Sequence, residues 1–304
     1  MPNWPPLQND GTPVACAMCG GTETRSLIVK MGYPIGRCVR CGLVYANPRP
    51  PRVLTLNRYS REYFWNEYLP SLGIVDGRFD LDFFDVRFKP LLDAMAARSP
   101  GKRLLEVGCG AGFFLKAAER AGWQVEGIEL SDAAAQFAGE RLHLRVLSEP
   151  AEVAPIEPGS FHAVAMFEVI EHLFEPPAVL AAVARALAPG GTLTISTPNF
   201  NALSRLALGP DWAVLNPIEH LYYFTEATLT RMLDAAGFSR VAFDRHHIAW
   251  GARDTVNFRH SHEPEGWRAR LTGAVVSRGG MRMAKLVQRA GMQDILLCTA
   301  TRTS

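Results

Sequence analysis

The run Leu104-Leu105-Glu106-Val107-Gly108-Cys109-Gly110-Ala111-Gly112-Phe113 constrains the fold most, because an apolar strand passes directly into three alternate glycines and then a helical pattern. Such glycines allow a sharp turn, and backbone N–H groups at the start of the following helix can face an anionic group. Around this run, two-residue alternation and helical periodicity take turns along the chain. Strands are predicted at 103–107, 124–129, 161–167, 192–196, 240–245 and 294–301. Helices are predicted at 113–121, 132–141, 176–188 and 225–233, with Ser131 and Thr225 as N-caps and Pro189-Gly190-Gly191 as a stop. One or two further helices fit 79–98, where Pro90 either starts the second or kinks the first. Strands alternating with helices give an α/β fold with a mostly parallel sheet covered on both faces.

The 304 residues carry 32 Lys+Arg against 30 Asp+Glu, so no protein-wide field recruits nucleic acid or an anionic membrane. No stretch reads as a transmembrane helix and the N-terminus lacks the pattern of a secretory signal, so the expected location is the cytoplasm. Cysteines in that compartment stay reduced, and four of the six fall in Cys16-x2-Cys19-x18-Cys38-x2-Cys41. Two CxxC turns each offer a thiolate pair, and four thiolates complete a tetrahedral, structural Zn2+ site. Gly20 and Gly42 follow the two knuckles, and metal binding can replace the core that residues 16–50 are too poor in large apolar side chains to build. A redox CxxC pair or an iron–sulfur cluster is the alternative. Cys109 and Cys298 read as packing residues.

Glu129 closes the second strand of the α/β region, 21 residues after Gly108, and Glu106 lies within the first. With these acids flanking the GxGxG loop, residues 100–250 resemble the class I methyltransferases that use S-adenosylmethionine. The resemblance implies a Rossmann-like seven-stranded sheet whose last strand is antiparallel, behind a small zinc ribbon. It places Gly108, Cys109, Gly110 and Gly112 around the methionine part of the cofactor, with Glu106 beneath the loop orienting the ammonium group. Glu129 would hold the ribose, Leu130 the adenine, and Phe167 and Glu168 would end the strand beside the sulfonium. His162 stands where the family usually carries Asp. The implied division is a ribbon at 1–50, a helical cap at 51–98 and the methyltransferase domain at 99–304, with an insertion near 251–290.

The ribbon, the run Arg37–Tyr45 and the Asn47-Pro48-Arg49-Pro50 exit resemble a bacterial small-molecule subgroup that includes deoxysugar C-methyltransferases. That subgroup implies Tyr59 and Tyr63 as an aromatic cap over the cofactor, and Glu219 with His220 as the pair that removes the substrate proton. His220 can equally fix the Tyr222-Tyr223-Phe224 turn. Glu168-x-x-Glu171-His172 resembles ubiquinone-pathway O-methyltransferases, in which such residues can hold a divalent metal beside a catechol. The alternative keeps Glu168 near the cofactor while Glu171 and His172 bond local backbone, because adjacent helical side chains diverge. Between Gly266 and Gly291 lie six basic residues and no acid, suited to a phosphate-bearing or lipid-linked substrate, or simply a solvated face. The expected activity is methyl transfer from S-adenosylmethionine to an oxygen or carbon of a small-molecule, glycosyl or lipid-linked acceptor. The alternatives are a binding module with a degenerate pocket or an N-methyltransferase that acts by positioning alone.

Overall fold

A computed structural model describes residues 10–245 and 287–303, which form two compact units. One unit takes in residues up to 51, 197–229 and 244–296, and the other takes in 52–196, 230–243 and the residues from 297. The units interleave along the chain. Most of the basic segment 266–291 and of the insertion near 251–290 lies outside the described residues.

The first unit is built on a four-stranded sheet in the order β1 (Thr24–Lys30), β2 (Tyr33–Cys38), β3 (Val44–Ala46), β9 (Tyr222–Tyr223), antiparallel throughout. The cysteine segment does have a core, and its missing apolar mass comes from elsewhere in the chain. Ile35, Val44 and Tyr223 pack with Phe200, Ala202, Leu208, Trp212 and Leu215. The 199–225 segment supplies that cover through the helix Leu203–Leu208 and strand β9.

The second unit carries a seven-stranded sheet in the order β10-β11-β8-β7-β4-β5-β6. Its strands are β4 (Arg103–Val107), β5 (Gln124–Ile128), β6 (Val146–Leu147), β7 (Phe161–Phe167), β8 (Leu187–Pro198), β10 (Phe238–Phe243) and β11 (Ile295–Arg302). The ladders linking β6, β5, β4, β7 and β8 are parallel, and β11 lies between β8 and β10, antiparallel to β10. This is the expected Rossmann-like arrangement.

Residues 79–98 form one helix, Leu81–Ala96, capped by Asp80, whose carboxylate accepts from Asp82 N at 2.9 Å. Pro90 sits on its exposed side, where the missing hydrogen bond is tolerated. The buried side brings Phe84 flat onto Phe113 (ring centroids 4.2 Å) and Phe88 edge-on to Phe114 (5.3 Å). That contact fixes the helix following the glycine loop.

Two boundaries differ from expectation. The helix from Pro176 ends at Ala186 and not after Ala188, because Leu187 already pairs with Phe161. Pro189-Gly190-Gly191 then forms a bulge within β8, since the next pair joins Ala163 to Thr192. Thr225 caps its helix by accepting from Thr228 N at 3.2 Å, but the Ser131 hydroxyl donates to the Tyr59 carbonyl at 3.0 Å and caps nothing. Among the described residues no helix is long and apolar enough to cross a membrane.

Candidate cofactor site and cysteine cluster

In the second unit, the chain leaves β4 through Gly108, Gly110 and Gly112, all at positive φ (71°, 53° and 82°). Gly110 requires its missing side chain twice over, because a Cβ there would also collide with the Tyr68 hydroxyl. Gly108 N and Cys109 N donate to the Ile128 carbonyl at 2.8 and 3.1 Å, tying the loop to the end of β5. Glu129 completes the tie. Its Oε2 accepts from Gly110 N and its Oε1 from Ser131 N, both at 2.8 Å.

Burial raises the pKa of Glu129, while the N–H groups of Ser131, Gly110 and Leu130 act against it. Glu106 is 4% exposed, and its Oε2 has no hydrogen-bond partner among the described residues. Burial first, and the Glu129 charge second, push Glu106 well above the usual carboxylate range. Cys109 is buried, with its sulfur against Gly127 of β5, so it packs the loop. Leu130 is 42% exposed at the end of the same strand.

The aromatic segment is arranged differently from the expected pair. Tyr59 lies near Glu129, and burial together with that charge pushes its phenol up to about 12. Tyr63 is engaged by Arg58, whose Nη2 donates to its hydroxyl at 2.7 Å. The residue that reaches the glycine loop is Tyr68, whose hydroxyl lies 3.4 Å from Ala111 N. Burial, then Glu129, raises its pKa. Sequence periodicity does not single out Tyr68, because the turn Phe64–Tyr68 is π-helical and rotates the side chains after it.

At the end of β7, Phe167 packs edge-on against Phe114 (4.8 Å). Glu168 has a positive φ of 53°, and its Oε1 accepts from the Ser196 hydroxyl at 2.7 Å. Burial pushes its carboxyl up to about 7, against the opposing Ser196 hydrogen bond. Glu171 is buried beside His172 (3.8 Å), and Glu168 belongs to no metal-sized group with them among the described residues. His162 sits at the opposite end of β7, where its Nδ1 accepts from Arg103 N at 3.2 Å and its ring packs on Gly101. There it serves the sheet.

In the first unit, the sulfurs of Cys16, Cys19, Cys38 and Cys41 all lie within 4.8 Å of one another, with Cys16–Cys41 at 3.4 Å and Cys19–Cys38 at 3.5 Å. The two knuckles repeat one hydrogen-bond scheme: Cys16 N to Gly21 O and Gly20 N to Cys16 O, then Cys38 N to Leu43 O and Gly42 N to Cys38 O. A tetrahedral zinc with Zn–S bonds of about 2.3 Å needs sulfurs roughly 3.8 Å apart. The cluster fits that spacing.

His220 belongs to the same unit. Its Nδ1 lies 2.8 Å from the Val214 carbonyl, and its ring meets Tyr223 edge-on at 6.4 Å. A carbonyl can only accept, so Nδ1 carries the proton and Nε2 holds the lone pair of the neutral ring. The Nδ1 partner is thus backbone. Glu219 is half-buried, and its N–H donates to Asn216 O at 3.1 Å.

A family profile described as a methyltransferase domain matches residues 83–242. A ubiquinone biosynthesis O-methyltransferase from Idiomarina loihiensis is 32% identical over 160 residues, covering 47% of this chain and 64% of that protein. The namesake from Xanthomonas campestris is 43% identical over 119 residues (36% and 48%), and that from Thiobacillus denitrificans 36% over 173 residues (49% and 74%). The chain thus spans between about half and three quarters of the length of these curated relatives. Among solved structures, a SAM-dependent methyltransferase from Thermotoga maritima superposes with a TM-score of 0.51 at 20% identity, covering 80% of this chain and 98% of that one. That likeness speaks for the fold. With the profile match extending over more than half of its length, the chain belongs to the class I, S-adenosylmethionine-dependent methyltransferase-domain family.

Proposed function

We propose that this protein transfers a methyl group from S-adenosylmethionine to an oxygen or carbon of a small molecule, and that its four cysteines hold a structural zinc ion. One observation carries the cofactor reading: a clamped carboxylate, Glu129, stands beside a buried carboxyl, Glu106, whose Oε2 has no hydrogen-bond partner among the described residues. Each Glu129 oxygen receives an N–H, and the carboxylate, with about four lone-pair sites, keeps capacity for a ribose hydroxyl. A buried, orphaned carboxyl oxygen is costly unless a polar ligand group reaches it, and an ammonium satisfies both its charge and its geometry. Leu130 offers exposed apolar surface for a flat base.

S-adenosylmethionine, when bound, supplies a methyl group on a sulfonium sulfur for in-line displacement. The chain's own part is to orient the ligands and accept a proton. Tyr68 adds a hydroxyl at the loop, and Glu168, with its carboxyl near 7, adds a group able to change charge around neutrality. We assign proton removal to Nε2 of His220, because Nδ1 is committed to the Val214 carbonyl. An oxygen acceptor is favoured by the relatives, which are named as O-methyltransferases.

Three outcomes test this reading. Glu129→Ala should weaken S-adenosylmethionine binding by about 1–3 kcal/mol in calorimetry, the cost of losing a charged acceptor; unchanged affinity means another ligand or another register. Purified protein should contain about one zinc per chain, lost with Cys38→Ser together with the protease resistance of residues 16–50; folded, metal-free wild type refutes the zinc site. His220→Asn should leave cofactor affinity intact and slow single-turnover methyl transfer roughly 100- to 10,000-fold. If the histidine only fixes its turn, that variant instead melts earlier and turns over at full rate per folded molecule.

A further inference from the structure

A single cross-strand row runs through the sheet of the first unit: Arg25 opposite Arg37, Arg37 opposite Val44, and Val44 opposite Tyr223. Directly opposed residues of antiparallel strands share a face. This is the face of Ile35, Val44 and Tyr223, which pack with Phe200, Leu208 and Trp212. The row is therefore apolar and covered at one end, while at the other two arginines stand side by side. Like charges directly opposed weaken a strand pair. Among the described residues neither Arg25 nor Arg37 has an ion pair or a side-chain hydrogen bond to offset this.

A third cation belongs to the same place. Arg205 lies on the helix Leu203–Leu208, which covers this face through Leu208. Its guanidinium stacks 4.2 Å from the Phe200 ring centroid, and its Nε donates to the Phe200 carbonyl, so the group is held. Burial, then the charge of Arg37, depresses the pKa of Arg205. No carboxylate among the described residues pairs with any of the three arginines. Lys30, on the same strand as Arg25, is spent on the Pro210 carbonyl at 2.9 Å.

We propose that Arg25, Arg37 and Arg205 form a subsite for a phosphate or diphosphate group. Guanidinium forks match phosphoryl oxygens two at a time, and a multiply charged anion removes the repulsion that the bare row carries. The existence of this subsite does not depend on the methyl-transfer reading. Arg37 and Tyr223 are separated by two strand spacings, about 10 Å. The Tyr223 ring is the one that meets His220.

The test is a titration of the full-length protein with inorganic pyrophosphate and, separately, with uridine diphosphate, followed by calorimetry and melting temperature. Saturable binding that Arg37→Gln or Arg25→Gln weakens about 10- to 100-fold, and that Arg185→Gln on an exposed helix face of the other unit leaves alone, is the expected result. The Arg37→Gln protein in anion-free buffer should melt no lower than wild type, since it loses a repulsion, which also excludes misfolding as the cause. Tighter binding of the nucleotide assigns the subsite to an esterified diphosphate, and equal binding assigns it to the free anion; both support the site. Absence of saturable binding by either probe, or binding equally strong in the Arg25 and Arg37 variants, overturns it.

Discussion

The Glu129 carboxylate is the interaction on which the second unit's site depends. It joins the loop after β4 to the turn after β5 by accepting from Gly110 N and Ser131 N, so two connections that leave neighbouring strands become one rigid edge. Charge-assisted bonds of this kind contribute about 1.5–3 kcal/mol each, enough to offset part of the burial penalty. The consequence falls on Glu106. Two buried carboxyls at one loop cannot both ionise cheaply, and burial together with the Glu129 charge holds the pKa of Glu106 well above the usual carboxylate range. A cationic ligand group placed there would relieve the penalty of ionising Glu106.

The first unit meets a different constraint. Its three N-terminal strands carry few large buried apolar side chains of their own, and their core is completed from residues 200–224. Arg49 joins this set with its Nη2 donating to the Tyr222 hydroxyl at 2.6 Å. Tyr45 stacks on Tyr222 across the same ladder (6.3 Å). The cysteine cluster therefore staples a sheet edge whose hydrophobic cover comes from another part of the chain.

These two constructions explain what was legible in the sequence. Strands β4, β5 and β7, the helix at Asp132–Leu142 and the capped helix at Glu226–Ala235 follow from local periodicity and capping, and the structure has them within a few residues. The glycine loop and the four cysteines are legible because their chemistry depends on spacing. Tyr68 is not, since a π-helical turn breaks the register that would have linked it to Tyr59 and Tyr63. The four-stranded sheet is hidden as well, because β9 is two residues long and its partner is nearly two hundred residues earlier in the chain. The bulge at Pro189-Gly190-Gly191 looks like a helix stop until Leu187 is seen paired with Phe161.

The central claim is that the Glu106–Glu129 pair is built to receive a ligand bearing both ribose hydroxyls and an ammonium group. It is tested most directly by titrating the wild-type protein with S-adenosylhomocysteine at neutral pH in two buffers of different ionisation enthalpy. The ammonium of the ligand favours the ionised form of Glu106, whose pKa burial and the Glu129 charge raise well above the usual carboxylate range. Binding at one site per chain should therefore release protons to the buffer, and the release should vanish in Glu106→Gln. Binding without proton release, or no binding at all, would contradict this account of the site.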